Sequence, residues 1–117
     1  MKHSIGIDIV DVEDFEKKIK RTKNLITRLF TDYEIEYCKK RGVEHLASRF
    51  AAKEAFVKAT NMQNLSWQDV EVRNDKSGKP HLRISPKILK QLKIKSIDVS
   101  ISNIRSLAIA VVIIDYN

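Results

Sequence analysis

The sequence predicts an α+β fold, with helices, one of them long and central, packed on a mostly antiparallel sheet. Three observations lead there. Period-2 apolar patterns lie near both ends of the chain, at residues 4–10 and 97–101. Between them, residues 44–61 form a long stretch free of Gly and Pro with helical spacing of apolar residues. A turn-rich segment, 74–80, then joins two short strand-like runs as a hairpin.

Each element has a local reason. Residues 4–10 alternate Ile5, Ile7 and Ile9 with Ser4, Gly6 and Asp8, a strand with one apolar face that turns Asp8 away from the isoleucines. Residues 12–22 read as a helix, with Phe15 and Ile19 opposite basic residues, and 26–30 as a short helical turn. Thr31 and Glu34 form a capping box. The helix it opens runs to about Arg41, where Lys39, Lys40 and Arg41 suit the negative end and Gly42 stops it. Cys38 reads as a small buried hydrophobe. The long helix takes 44–61, and two strands follow at 67–72 and 81–84, with Trp67 expected in the core. Ser85 and Pro86 cap a helix to about Leu92. Ile97, Val99 and Ile101 define a strand, a turn falls at 103–105, and the apolar run 107–114 reads as a strand buried on both faces.

Composition narrows the function. The 117 residues suit a single domain spanning 1–117. The 22 Lys+Arg against 15 Asp+Glu leave a net charge of +7, which favours anionic partners. Aromatic residues make up only 7% and are not interleaved with the lysines, so nucleic acid is not favoured among those partners. One cysteine excludes a disulfide framework and a Cys-based zinc site. The apolar run at 107–114 is far short of the ~20 residues a membrane helix needs. Asp8 and Asp11 come too early for a signal peptide, so a cytoplasmic protein without membrane attachment is expected.

The long helix carries the chemistry. At 100° per residue it has no clean polar face, so it is expected to be largely enclosed. Ala47, Phe50, Ala51 and Lys58 surround Glu54, while Arg49 and Lys53 share a stripe with Leu46 and Val57. Ionised groups there are costly unless paired or bound to an ion. Glu54 has three readings: an i,i+4 bridge to Lys58, an exposed carboxylate, or a cation ligand. Asp8 either projects into a cleft or meets solvent or a lysine. Two carboxylates with no Cys and no His pair at ligand spacing suit a hard ion such as Mg²⁺, which takes one or two carboxylates plus phosphate oxygens. His3, His45 and His81 form no triad and no zinc spacing.

Three runs then become specific: Gly6-Ile7-Asp8-Ile9-Val10, Phe30-Thr31-x-x-Glu34, and Arg49-Phe50-Ala51-Ala52-Lys53-Glu54-Ala55-Phe56-Val57-Lys58-Ala59. With Ser66-Trp67-Gln68-Asp69-Val70, Asn74-x-x-x-Gly78-Lys79-Pro80, Val99-Ser100-Ile101-Ser102 and Ala108-Ile109-Ala110-Val111-Val112, the chain resembles the holo-[acyl-carrier-protein] synthases, the small 4′-phosphopantetheinyl transferases. The resemblance implies a phosphopantetheinyl-transferase-like fold. It also implies transfer of the phosphopantetheine arm of coenzyme A to a serine of apo acyl carrier protein with release of 3′,5′-ADP, in fatty acid biosynthesis. Asp8 and Glu54 would bind Mg²⁺ with the coenzyme pyrophosphate, and Lys58 would lie near that pyrophosphate. These three form the expected catalytic set. Arg49 would meet the coenzyme's phosphate end, Lys53 would add positive field, and Gly78, Lys79 and Pro80 would line the adenine and ribose. Ser102 and Asn103 complete the expected coenzyme contacts. A metal-bound water, Glu54 or Lys58 would take the serine proton. The family's homotrimers, with active sites between protomers, would supply the depth that one small chain lacks. Such chemistry needs charge neutralisation and in-line positioning more than covalent help.

The same resemblance makes Lys17, Lys18, Lys20 and Arg21 candidate docking charges for an acidic carrier protein. Three departures stand out. Asn103 replaces a histidine usual in the family, residues 60–65 lack the usual glycines, and Asp14 stands where an arginine is common. The alternatives are a degenerate relative that binds coenzyme A without transfer, and a basic nucleic-acid-binding module.

Overall fold

The computed structural model describes residues 2–117. Its elements are β1 (His3–Asp11), α1 (Val12–Arg21), α2 (Leu25–Leu29), α3 (Asp32–Cys38), α4 (Val43–Thr60), β2 (Val70–Asn74), β3 (Pro80–Ile84), α5 (Pro86–Leu92), β4 (Ile94–Asn103) and β5 (Leu107–Tyr116), with one 3-10 turn at Trp67–Asp69. The α+β class holds. The expected single sheet is divided in two, a three-stranded antiparallel sheet in the order β1-β5-β4 and a separate β2-β3 hairpin.

Local chemistry places most boundaries. Asp11 caps α1 by accepting from the Asp14 amide at 2.9 Å. Both halves of the Thr31–Glu34 box form, at 2.9 and 3.3 Å. The helix they open ends at Cys38, short of Arg41. Gly42, at φ 100°, redirects the chain into α4, and Arg41 folds back over the Tyr37 ring at 3.9 Å. The strand expected from Trp67 starts only at Val70. Ser66 Oγ accepts from the Gln68 amide at 3.3 Å to cap a tight turn, and Gln68 Nε2 anchors that turn to the Phe30 carbonyl at 2.7 Å. Ser85 precedes α5 as expected, but its hydroxyl caps nothing and lies buried without a partner. In the glycine-free loop after α4, Asn61 and Asn64 take left-handed backbone (φ 53° and 58°), which asparagine tolerates best after glycine.

One side of the three-stranded sheet is sealed by α4. Ala108, Ala110, Val112 and Ile114 of β5 are fully buried there, with Ala52, Ala55 and Phe56 of α4. The other side is open. Ile5, Ile7 and Ile9 are 65%, 59% and 59% exposed and lie opposite Ile113, Val111 and Ile109. The strand at 107–114 is therefore buried on one face, because nothing among the described residues covers the second.

Candidate active site

The site begins at Gly6. A Cβ there would lie 2.0 Å from the Ala55 carbonyl oxygen and 2.7 Å from the Ala59 amide nitrogen, so only glycine lets β1 approach α4 this closely. Two residues on and on the same side of β1, Asp8 reaches α4, where Lys58 Nζ lies 3.1 Å from its Oδ1. Glu54 sits one helical turn before Lys58. Burial, and then the negative charge of Asp8, push the Glu54 carboxyl above its ordinary range, with Lys58 and Lys18 offsetting this only in part. The i,i+4 bridge considered for Glu54 does not form, since Lys58 bonds Asp8 instead.

Glu54 is thus held near the Asp8 carboxylate with no ion-pair partner of its own among the described residues, while Asp8 holds Lys58. Among the described residues no third metal-ligating side chain joins them. That donor set fits an ion that keeps several waters and takes phosphate oxygens, as Mg²⁺ does.

Both carboxylates line a cleft of about 530 Å³. Phe15, Leu25, Leu29, Phe50 and Trp67 make it largely apolar, and Lys18, Arg28, Asp11 and Asp14 also line it. Phe50 stacks on Phe15 and leans on Trp67, with ring centroids 5.5 Å apart in each pair. Trp67 therefore stands half-buried in the cleft wall, packed against the edge of the core, because the 3-10 turn swings it off the strand.

Lys53 departs from expectation. It is fully buried with Nζ 2.7 Å from Glu34 Oε1 and donates to the Trp67 carbonyl at 3.0 Å, so it joins α4 to α3 and cannot meet a ligand. Burial lowers its pKa, with Glu34 opposing. Glu34 also accepts from the Val72 amide at 2.8 Å.

Arg49 is only 4% exposed and points to the hairpin side, about 140° around α4 from Glu54. Its Nη2 donates to Asn74 Oδ1 at 2.7 Å, and Asn74 Nδ2 donates to the Gly78 carbonyl at 3.0 Å. Gly78, Lys79 and Pro80 thus lie on a loop tied to Arg49. Asp75 braces that loop from inside, accepting from the Ser77 hydroxyl and the Lys79 amide at 2.5 and 3.0 Å and facing His81 Nε2 at 3.2 Å. Those bonds, the Ser77 and His81 ones foremost, hold its carboxyl well below the usual range. Asn103 donates to the buried Ser48 hydroxyl at 2.6 Å, whereas Ser102 is exposed.

The structure therefore joins Asp8, Glu54 and Lys58 at one place and Arg49 with the Gly78 loop at another, but does not join the two places within one chain. Sequence reasoning missed Phe50 as a cleft residue and Arg28 as a cleft cation. Only the adjacency of Phe50 to Glu54 on the helical wheel hinted at the first, and nothing marked the second. On α1, Lys17 and Lys20 pair with Glu13 and Glu16 at 3.3 and 3.6 Å, which leaves Lys18 as the cleft-facing lysine of that group.

The fold and the acidic pair define a class. Residues 4–112 match the model of the 4′-phosphopantetheinyl transferase superfamily. A holo-[acyl-carrier-protein] synthase of Geobacter sulfurreducens is 43% identical, covering 94% of each chain. The crystal structure of the Helicobacter pylori holo-[acyl-carrier-protein] synthase in complex with coenzyme A superposes with a TM-score of 0.88 at 34% identity, covering 95% of this chain and 99% of that one. That of Bacillus anthracis, in complex with CoA (3′,5′-ADP), gives 0.81 at 33% identity, covering 97% and 96%. The chain belongs to the holo-[acyl-carrier-protein] synthase family of 4′-phosphopantetheinyl transferases.

Proposed function

We propose that the protein transfers the 4′-phosphopantetheine arm of coenzyme A to a serine of apo acyl carrier protein in a Mg²⁺-dependent reaction that releases 3′,5′-ADP. The observation that carries this reading is the Asp8–Glu54 pair lining an apolar cleft, held together by the Gly6 contact. Asp8 and Glu54 would hold Mg²⁺, which when bound neutralises pyrophosphate charge and stabilises the leaving nucleotide. Lys58, already within 3.1 Å of Asp8, adds a cation on the phosphate side. The Phe15, Phe50 and Trp67 wall excludes water from the arm. Arg49, buried with no carboxylate partner among the described residues, takes the coenzyme's phosphate end, and the braced Gly78-Lys79-Pro80 loop flanks the nucleotide. Lys18 and Arg28, lining the same cleft, are the cations best placed to meet an acidic carrier protein.

The working unit in this reading is a homotrimer with active sites between protomers. Two features support it: the uncovered isoleucine face of β1 and β5, and the separation of the Arg49 and Asp8 sites within one chain. A partner protomer's hairpin would supply the second site to the first.

The test is direct. Protein incubated with coenzyme A, Mg²⁺ and apo carrier protein is expected to add the mass of one phosphopantetheine to the carrier, and chelation of the metal is expected to stop it. Tight coenzyme A binding with no mass gain would instead mark a degenerate relative.

A further inference from the structure

Arg49 is held in an unusual way for a buried charge. Its Nη1 donates to the His45 carbonyl at 3.2 Å and its Nη2 to Asn74 Oδ1 at 2.7 Å, while its buried Nε has no partner. No carboxylate lies within ion-pair distance among the described residues. A buried cation without an anion is expensive, so its surroundings must restrain it without neutralising it. Tyr37 of α3 does this. Its ring faces the Arg49 guanidinium at 4.6 Å and the Arg41 guanidinium at 3.9 Å. One turn earlier, Tyr33 stacks parallel to Tyr37, 6.3 Å away at 16°, and its hydroxyl accepts from the Asn74 amide at 3.3 Å. The tyrosine pair thus fixes both ends of the Arg49–Asn74 bond, one through the guanidinium plane and the other through the Asn74 backbone.

Resting on the reading that Arg49 meets the coenzyme's phosphate end, we propose that Tyr37 is a positioning residue that holds Arg49 by its ring face, so that the guanidinium keeps its place and its charge for the phosphate monoester on the coenzyme's ribose. Contact through the ring face suits this task. It restrains the guanidinium without neutralising it or using its N–H groups, as a carboxylate partner would. Arg41, on the same ring, adds positive field near the same anion.

Steady-state kinetics with coenzyme A and with its analogue lacking the ribose phosphate test the proposal. Tyr37→Leu is expected to raise KM for coenzyme A about tenfold, the worth of one desolvated cation–π contact, with kcat within about twofold. KM for the dephospho analogue is expected to stay unchanged, and Tyr37→Phe to behave like the parent because it keeps the ring. An unchanged KM, an equal rise for both coenzymes, or a loss confined to kcat would overturn the proposal. Arg49→Gln separates it from the reading beneath. If that variant leaves KM for coenzyme A unchanged, Arg49 does not meet the phosphate and both ideas fall. If Arg49→Gln raises KM and Tyr37→Leu does not, only the role of Tyr37 falls. Should Tyr37→Leu misfold, tetrafluorotyrosine placed at position 37 weakens the ring's hold on a cation without changing its shape. KM for coenzyme A is then expected to rise and KM for the dephospho analogue to stay unchanged, and no rise would sink the proposal.

Discussion

Lys53 Nζ and Glu34 Oε1 lie 2.7 Å apart with both side chains fully buried, and this pair helps tie the long helix to the helix that precedes it. The Lys53 ammonium also holds the Trp67 carbonyl, so the cleft wall hangs from the same bond network. Removing one partner of a buried pair strands the other charge, which costs about 3–5 kcal/mol. Lys53→Met is therefore expected to lower unfolding free energy by that amount in urea titration. Adding Glu34→Gln, which removes the stranded charge, is expected to recover part of the loss. Additive losses in the double variant would show that the two groups do not act as a pair.

Gly6 makes a second prediction because its missing side chain sets the distance between β1 and α4. Any Cβ meets backbone atoms of Ala55 and Ala59, which cannot rotate away. Gly6→Ala is expected to cost about 1–3 kcal/mol through overpacking and to move Asp8 away from Glu54. Activity is expected to fall further than stability implies, by about 100-fold, as is typical when reacting groups are misplaced by an ångström. A variant with the parent's melting temperature and turnover would show that the close approach is dispensable.

These residues show what a single sequence reveals. The Thr31–Glu34 box was legible because both partners lie within one helical turn, and the acidic pair because Asp8 opposes the isoleucines and Glu54 breaks an alanine-rich surface. Lys53 was assigned to the ligand because nothing local shows that a residue 19 positions earlier supplies its counter-charge. The alternation of Ile5, Ile7 and Ile9 showed that they share a face, but period alone does not say whether that face meets the core or the outside. Trp67 to Asp69 looked like a strand because composition carries no sign of the Ser66 cap and the Gln68 anchor, which bond across the fold. The Tyr33–Tyr37 pair went unread, because its meaning depends on Arg49 and Asn74 arriving from two other elements.

Glu54 makes stability depend on pH. Its carboxyl is raised above the ordinary 4.5, first by burial and then by Asp8. A raised carboxyl favours the protonated form in the folded state, so its contribution to stability is present below pH 4.5 and is lost as pH rises through the folded value. Without Mg²⁺, the melting temperature of the parent is expected to fall relative to Glu54→Gln across that window and to stay below it at pH 7. Added Mg²⁺ with coenzyme A is expected to raise the parent's melting temperature and to leave the variant's almost unchanged. Scanning calorimetry from pH 4 to 8 reads both effects. A parent more stable than Glu54→Gln at pH 7 without metal would contradict the strained pair.

The outer face of the sheet supplies the last prediction. Ile5, Ile7 and Ile9 project from an edge strand at 65%, 59% and 59% exposure, beside Ile113 at 43%. An apolar stripe of this extent on a chain this small marks an association surface. Ile7 lies at its centre, opposite Val111. Ile7→Glu places a charge where three copies would meet, while its side chain touches nothing that α4 needs. The variant is expected to keep the parent's far-ultraviolet circular dichroism but to sediment as a single 13.5 kDa chain in place of a trimer. On the proposed trimeric reading, turnover is expected to drop at least 100-fold, because the Asp8 cleft would lose the Arg49 and Gly78 site of a neighbouring copy. A monomeric variant with full activity would mean that one chain completes its own site. An Ile7→Glu protein that stays trimeric would move the interface off this face.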